Sequence, residues 1–186
     1  MPSYDPLGGW NGPNGPATLI FDLLEDFLAF GVAVLNKNTE ADGAPPFQYV
    51  SLATPPDDLN TIVAYSGDIL AYPDFLRADK KGCSISLKTP LHLRWTRCIA
   101  SPETAGQIPT PAEMEADAKL MLTDRYLMAM GYLKAWLGNT LFERYSLQCE
   151  SLTWQRLKAI PMAGRGVGAE LIAEVQLNGL AVRPPG

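Results

Sequence analysis

Apolar residues recur at three- and four-residue steps near the start of the chain, and acidic residues occupy the other side of the same segment. The apolar positions are Leu19, Ile20, Leu23, Leu24, Phe27, Leu28 and Val34, and the acidic ones are Asp22, Glu25 and Asp26. This spacing is typical of an amphipathic helix with one face in the core. It predicts a first helix over about 17–36.

A second helical pattern begins in the centre of the chain with a clear start signal. Thr110 suits the N-cap, Pro111 the first helical position, and Glu113 the third, where its carboxylate closes a capping box. Gly138 marks the end, so the pattern predicts a helix over 110–137.

One charged residue interrupts the apolar stripe of this second helix. On a helical wheel Arg125 falls in the middle of an apolar group formed by Met114, Ala118, Met121, Ala129, Tyr132 and Trp136. Three interpretations stand: Arg125 extends its guanidinium to solvent, forms a salt bridge within the subunit, or pairs with a carboxylate across a subunit interface. The third makes Arg125 a candidate interface residue.

The clearest strand pattern lies at 84–96, where apolar and polar residues alternate. One face carries Ile85, Leu87, Leu91, Leu93 and Trp95, and the other carries Ser84, Ser86, Lys88, His92, Arg94 and Thr96. We expect the first face to be buried and the second to be wet. Because Pro90 donates no backbone hydrogen bond, the segment is an edge strand, a bulge, or two strands in sequence.

Further strands complete the predicted architecture. The runs at 61–65 and 151–160 and the alternating ELIAEVQL are predicted to be strands, the last two forming a hairpin. The segment 38–60 is predicted to be a loop with one strand, and 66–82 is a candidate hairpin arm. The order predicts a single α+β domain over 17–186, with a mostly antiparallel mixed sheet flanked by two main helices. Residues 1–16 are rich in glycine and proline and are expected to form a flexible arm, in which Tyr4 and Trp10 are candidate interface anchors or parts of an unattached tail.

Composition points away from nucleic acid and membrane partners. The 186 residues carry a formal net charge of -5, which gives no general attraction to phosphate backbones. Charged residues make up 19%, below the typical quarter, so some apolar surface is expected to meet a partner. The most apolar run, FLAFGVAVL, has nine residues, too few for a bilayer that requires about 20.

No residue cluster predicts catalysis, a cofactor or a metal. The single histidine, His92, lies about 20 Å from Cys98 on an extended strand, and the three cysteines lack Cys-x-x-Cys spacing, so they are read as reduced structural thiols. GRGVG at 164–168 is a turn between strands rather than a phosphate site at a helix start. The residues therefore favour a protein that is not an enzyme.

The centre of the chain resembles a known family. An apolar strand ending in RCI at 97–99, a loop with acids and prolines, and a helix that opens with TP at 110–111 and contains DR at 124–125 are similar to the tail terminators, neck proteins of long-tailed bacteriophages, especially those of actinobacteria. The likeness also takes in the first helix and the closing GRGVGAELIAEVQL. It covers most of 17–178 as a pattern of elements.

This resemblance implies a tail-terminator-like domain and a structural role in the virion. Copies would close into a hexameric ring on the head-proximal end of the tail tube, bind the tube protein and the head-to-tail connector or stopper proteins, and let DNA pass without specific recognition. Assembly would take place in the host cytoplasm. A head-to-tail adaptor or stopper of the neck remains an alternative, and a small cytosolic enzyme or ligand-binding domain is a further one.

Overall fold

The computed structural model describes residues 16–51, 60–68, 70–73, 83–98, 110–138, 140–141, 152–161 and 166–182. The elements in chain order are α1 (Pro16–Leu35), β1 (Phe47–Ser51), β2 (Thr61–Ser66), β3 (Leu70–Pro73), β4 (Cys83–Cys98), α2 (Pro111–Leu137), β5 (Leu152–Pro161) and β6 (Gly166–Val182). The α+β class is confirmed, and both helices begin and end within one residue of their predicted bounds. Tyr4 and Trp10 lie outside the described residues.

The strands form one mixed sheet in the order β1-β2-β4-β6-β5, with β3 also paired to β4. The pair β1–β2 is parallel, and the pairs β2–β4, β3–β4, β4–β6 and β5–β6 are antiparallel. The mostly antiparallel sheet and the closing hairpin are confirmed. The strand predicted within 38–60 is β1. Within 66–82, the candidate hairpin arm, β3 pairs with β4, which begins after that segment, and 74–82 lies outside the described residues.

Pro90 lies inside the sheet, and all three readings of its place were wrong. Strand β4 is one continuous interior strand, paired with β6 on one side and with β2 and β3 on the other, and its irregularity falls between Ile85 and Leu87. The Gly67 N–H donates to the Pro90 carbonyl at 2.9 Å. Because the nitrogen and carbonyl of one residue face the same neighbour in antiparallel pairing, the Pro90 nitrogen faces the interval between β2 and β3. Since no strand pairs with β4 in that interval, the missing N–H of Pro90 removes no hydrogen bond from the sheet.

Local chemistry starts and ends α2 as predicted. The Thr110 N–H donates to the Glu113 carboxylate at 2.7 Å, and the Glu113 N–H donates to the Thr110 hydroxyl at 3.3 Å. The backbone hydrogen bond from Thr110, followed by that from its hydroxyl, lowers the pKa of Glu113. The Gly138 N–H bonds the Lys134 carbonyl at 2.9 Å. The capping box is therefore confirmed.

Both helices contribute to one core on one face of the sheet. The cluster combines Leu23, Leu24, Phe27 and Leu35 of α1, Met128 and Tyr132 of α2, and inward residues of β2, β4 and β6 that include Ile62, Leu93, Trp95 and Leu171. Two glycines allow the close packing: a Cβ on Gly31 would lie 2.5 Å from Leu93, and one on Gly131 would lie 2.8 Å from Val34. Larger residues there would push α1 off the sheet and α2 off α1.

The opposite sheet face, which the alternation predicted to be wet, is buried at Arg94 and Thr96 and partly exposed at Lys88 and His92. Arg94 and Thr96 of β4 are 7% and 1% exposed. Thr96 shares a hydrogen bond of 3.0 Å with the Thr61 hydroxyl of β2, and Arg94 is paired in register with Glu170 of β6. The polar side chains are buried because neighbouring strands supply them with partners.

Candidate interaction surface on helix α2

The core side of α2 is rotated from the stripe that its sequence predicted. Its buried residues are Met121, Asp124, Met128, Tyr132 and Ala135, so Met121 and Tyr132 are confirmed. Met114 and Ala118, expected in the core, are exposed, Arg125 is half-buried, and the side chain of Trp136 lies outside the described ones. The charge on the buried side is therefore Asp124 and not Arg125.

Asp124 is fully buried in a polar network that joins three parts of the chain. Arg97, at the end of β4, donates from Nε to Oδ2 at 2.5 Å and from Nη2 to Oδ1 at 3.1 Å, a bidentate ion pair. Asn38, in the turn after α1, donates to Asp124 Oδ1 at 2.6 Å and to the Leu120 carbonyl at 3.2 Å. The network holds α2 against both β4 and α1.

The position of Arg97 carried a signal that the sequence reading missed. Arg97 continues the inward alternation of Leu91, Leu93 and Trp95, which places it on the core face of β4. A positively charged side chain at such a position requires a buried carboxylate as partner, and Asp124 of the facing helix is that partner. The segments 97–99 and 124–125, which carry the resemblance, thus contact each other through Arg97 and Asp124.

Arg125 has no such partner. Its Nε is buried without a hydrogen bond, and within the described part of the chain Arg125 forms no ion pair. The salt bridge within the subunit, one of the three interpretations, is therefore not found among the described residues. Arg125 lies one turn after Leu122 on the helix surface. Pairing across a subunit interface stays a prediction.

The outer side of α2 carries a row of exposed apolar side chains, which we call the outer stripe. Its members and their exposed fractions are Leu122 at 61%, Tyr126 at 64%, Met130 at 48%, Leu133 at 39% and Leu137 at 70%. Their three- and four-residue steps align them along one side of the helix, over about 22 Å. A helix that is apolar on both its inner and outer sides is normally covered on both. The outer stripe is therefore a candidate docking surface.

An apolar groove adjoins the outer stripe where α2 passes the end of α1. The groove encloses about 450 Å³, and Met130, Leu133 and Leu137 line it together with Val34 and Leu127. Since three members of the outer stripe also line the groove, the two form one continuous surface. Lys37 and Lys134 stand at its edge.

Positive charge surrounds this surface although the chain as a whole is acidic. Lys37, Lys134 and Arg125 make no ion pair within the described ranges, whereas Lys119 is 3.0 Å from Glu40. The acid in the second half of α2 is Asp124, and its charge is already engaged by Arg97. The rim of the outer stripe is cationic as a result.

A second polar cluster lies on the opposite face of the sheet. The Tyr65 hydroxyl donates to Glu170 Oε1, His92 Nδ1 lies 3.2 Å from the same oxygen, and the Tyr65 and His92 rings stack at 4.6 Å. Burial favours a higher pKa for Glu170, but the hydrogen bonds from His92 and Tyr65 and the charges of His92 and Arg94 outweigh it and lower that pKa. His92 thus contacts Glu170, and Cys98 is exposed at the strand end.

Neither a metal site nor a membrane span emerges from the described ranges. Across those ranges, no three histidine, cysteine, aspartate or glutamate side chains are grouped to hold a metal ion. Of the two helices described, neither is both long and apolar enough to cross a bilayer. Cys149 of the cysteine set lies outside these ranges.

No protein-family model matches the chain, and no curated protein matches its sequence. The features that bear on function are the outer stripe, its charged rim and the resemblance of the central segments.

Proposed function

We propose that this protein is a structural virion protein of a long-tailed phage and acts as a tail terminator. In this role copies close into a hexameric ring at the head-proximal end of the tail tube, stop tube growth and present a surface to the head-to-tail connector. The protein works by binding rather than by catalysis. It is a component of the neck, assembled in the host cytoplasm.

The observation that carries the proposal is the outer stripe of α2. A large contiguous apolar surface marks an interaction site, because exposure of such a surface to water is unfavourable. A terminator has to bind a tail or connector protein as well as its own copies, and the outer stripe is the surface proposed for that other protein. The identity of the assembly follows from the resemblance of the segments around Arg97 and Asp124.

The most direct test adds the purified protein to polymerising tail-tube subunits. A terminator shortens the tubes and places a ring at one end, both visible by negative-stain electron microscopy. An adaptor or stopper binds the portal-side connector instead and leaves tube growth unchanged. Tubes that grow as they do without the protein would contradict termination.

Two variants test whether capping of the tail tube depends on the outer stripe, because the two leucines they replace are almost equally exposed. Leu122, in the outer stripe, is 61% exposed, and Leu70, in β3, is 59% exposed. Leu122→Ser should prevent capping because it removes an apolar contact, whereas Leu70→Ser should cap like the unchanged protein. If both variants capped the tubes equally well, capping would not depend on the outer stripe.

A further inference from the structure

We propose that the outer stripe of α2 binds an acidic amphipathic helix of a different protein. This deepens the proposed function by giving the chemistry of the partner at the same surface, and it rests on that function for the location of the partner.

The charge of the rim selects an acidic occupant. Lys37 and Lys134 border the apolar groove, and Arg125 lies one turn from Leu122. Within the described residues none of the three is neutralised by an ion pair. A partner with apolar side chains flanked by carboxylates would bury the outer stripe and form ion pairs with the cationic rim. Complementary charge also speeds the encounter of two proteins.

The shape of the surface selects a helix. The backbone of α2 is bonded within its own helix, so the stripe presents side chains and offers no row of backbone donors and acceptors. An extended segment lying along it would bury backbone groups without partners, whereas a helix satisfies its own. The stripe spans about four turns, enough to align with a partner helix through side chains at three- and four-residue steps.

A second copy is a poor occupant on two counts. Pairing two stripes brings together two cationic rims, each with Arg125 and Lys134, and residues 125–137 of α2 contain no acid to neutralise either rim. The exposed side of α1 is acidic through Glu25, yet it carries one large apolar side chain, Phe21, beside Ala29 and Ala33. That side cannot cover the five large residues of the outer stripe.

Two labelled synthetic peptides test the inference on the full-length protein. Both are helices of about 20 residues with leucines at three- and four-residue steps, and they differ in having glutamates or lysines at the flanking positions. Fluorescence anisotropy should show the glutamate peptide binding at least about tenfold more tightly than the lysine peptide, with affinity that falls as salt rises. Equal binding, or no binding of the glutamate peptide, would overturn the inference.

Three variants assign the binding to the surface. Lys134→Gln should weaken the glutamate peptide several-fold and Lys134→Glu should move the preference toward the lysine peptide, while Lys88→Gln, on the opposite sheet face, should leave both affinities unchanged. If Lys88→Gln weakens binding as much as Lys134→Gln, the surface is wrong. Self-association that Leu122→Ser abolishes would also overturn the inference, since the occupant would then be a second copy.

The peptide result and the tube result are independent. Peptide binding without tube termination would support this surface and contradict the terminator role. Termination by a protein that ignores the glutamate peptide would support the role and contradict the inferred partner.

Discussion

The two helices pack side by side on the same sheet, yet only α1 has a conventional amphipathic pattern. Helix α1 buries Leu23, Leu24 and Phe27 and exposes Glu25, so its burial within the subunit accounts for its sequence. Helix α2 buries Met128 and Tyr132 and exposes an equally apolar side. Folding explains the inner side of α2, and the proposed docking to another molecule would explain the outer side.

The inner side of α2 also differs from that of α1 in being anchored by charge. Among the described core residues of α1, the buried side chains are apolar, while α2 places Asp124 among its own. A buried ion pair adds little net stability relative to apolar packing, but it specifies geometry because a displaced partner leaves a bare charge. The Arg97–Asp124 pair therefore fixes which side of an ambiguous helix faces the core.

Removal of that anchor should give the largest effect on stability. Asp124→Ala leaves Arg97 buried without its carboxylate and should lower the free energy of unfolding by about 3–5 kcal/mol. The adjacent Arg125→Ala should cost less than about 1 kcal/mol, because Arg125 forms no ion pair among the described residues. Urea denaturation of the two variants measures both values.

A double variant controls for the loss of charge itself. Replacing both partners, as Arg97→Met with Asp124→Leu, removes the buried charges together and should cost much less than Asp124→Ala alone. If Arg125→Ala lowered the free energy of unfolding more than Asp124→Ala, the side of α2 predicted from the sequence would face the core, and the observed packing would be contradicted.

A smaller effect is expected at the start of α2, where the capping box distinguishes it from α1, which has no acid in its first turn. Thr110→Ala should lower stability by about 1 kcal/mol at neutral pH. The pKa of Glu113 is lowered in the folded state, so its contribution is full above the ordinary carboxyl pKa, about 4.3, and is lost as the pH falls through the lower folded value.

The expected pattern is therefore a Thr110→Ala deficit that shrinks as the pH falls below about 4. Thermal unfolding between neutral and acidic pH measures it. Glu113→Gln keeps a side-chain acceptor without the charge, so its own pH dependence in this range should be weaker than that of the unchanged protein. A deficit that grows on acidification would contradict the role assigned to the capping box.

How much the sequence could predict follows from the same comparison. The ends of α2 were predicted well because the capping residues Thr110, Glu113 and Gly138 act locally. The phase of α1 was also predictable, since its apolar residues occupy one side. The phase of α2 was not predictable, because apolar residues lie on two sides of this helix. Which side faces the core is decided by a tertiary contact, the ion pair of Arg97 with Asp124.

Nonlocal information also explains the remaining errors. Pro90 is tolerated in an interior strand because it faces the interval between β2 and β3, the two strands that pair with the same side of β4. Nothing near Pro90 in the sequence shows where that interval falls. The burial of Arg94 likewise depends on Glu170, a residue of a strand far along the chain. Asn38 likewise joins the Asp124 network although the two residues are 86 positions apart in the sequence.

The most direct test that α2 has an inner core side and an outer docking side is hydroxyl-radical footprinting of Met128 and Met130, two of its four methionines. Met130 is 48% exposed in the outer stripe, and Met128 is fully buried on the inner side. In the free protein Met130 should oxidise readily and Met128 slowly; after addition to tail tubes, Met130 should become protected while Met128 stays unchanged. Oxidation of Met130 at the same rate in the free protein and on capped tubes would contradict the claim that the outer side of α2 is a docking surface.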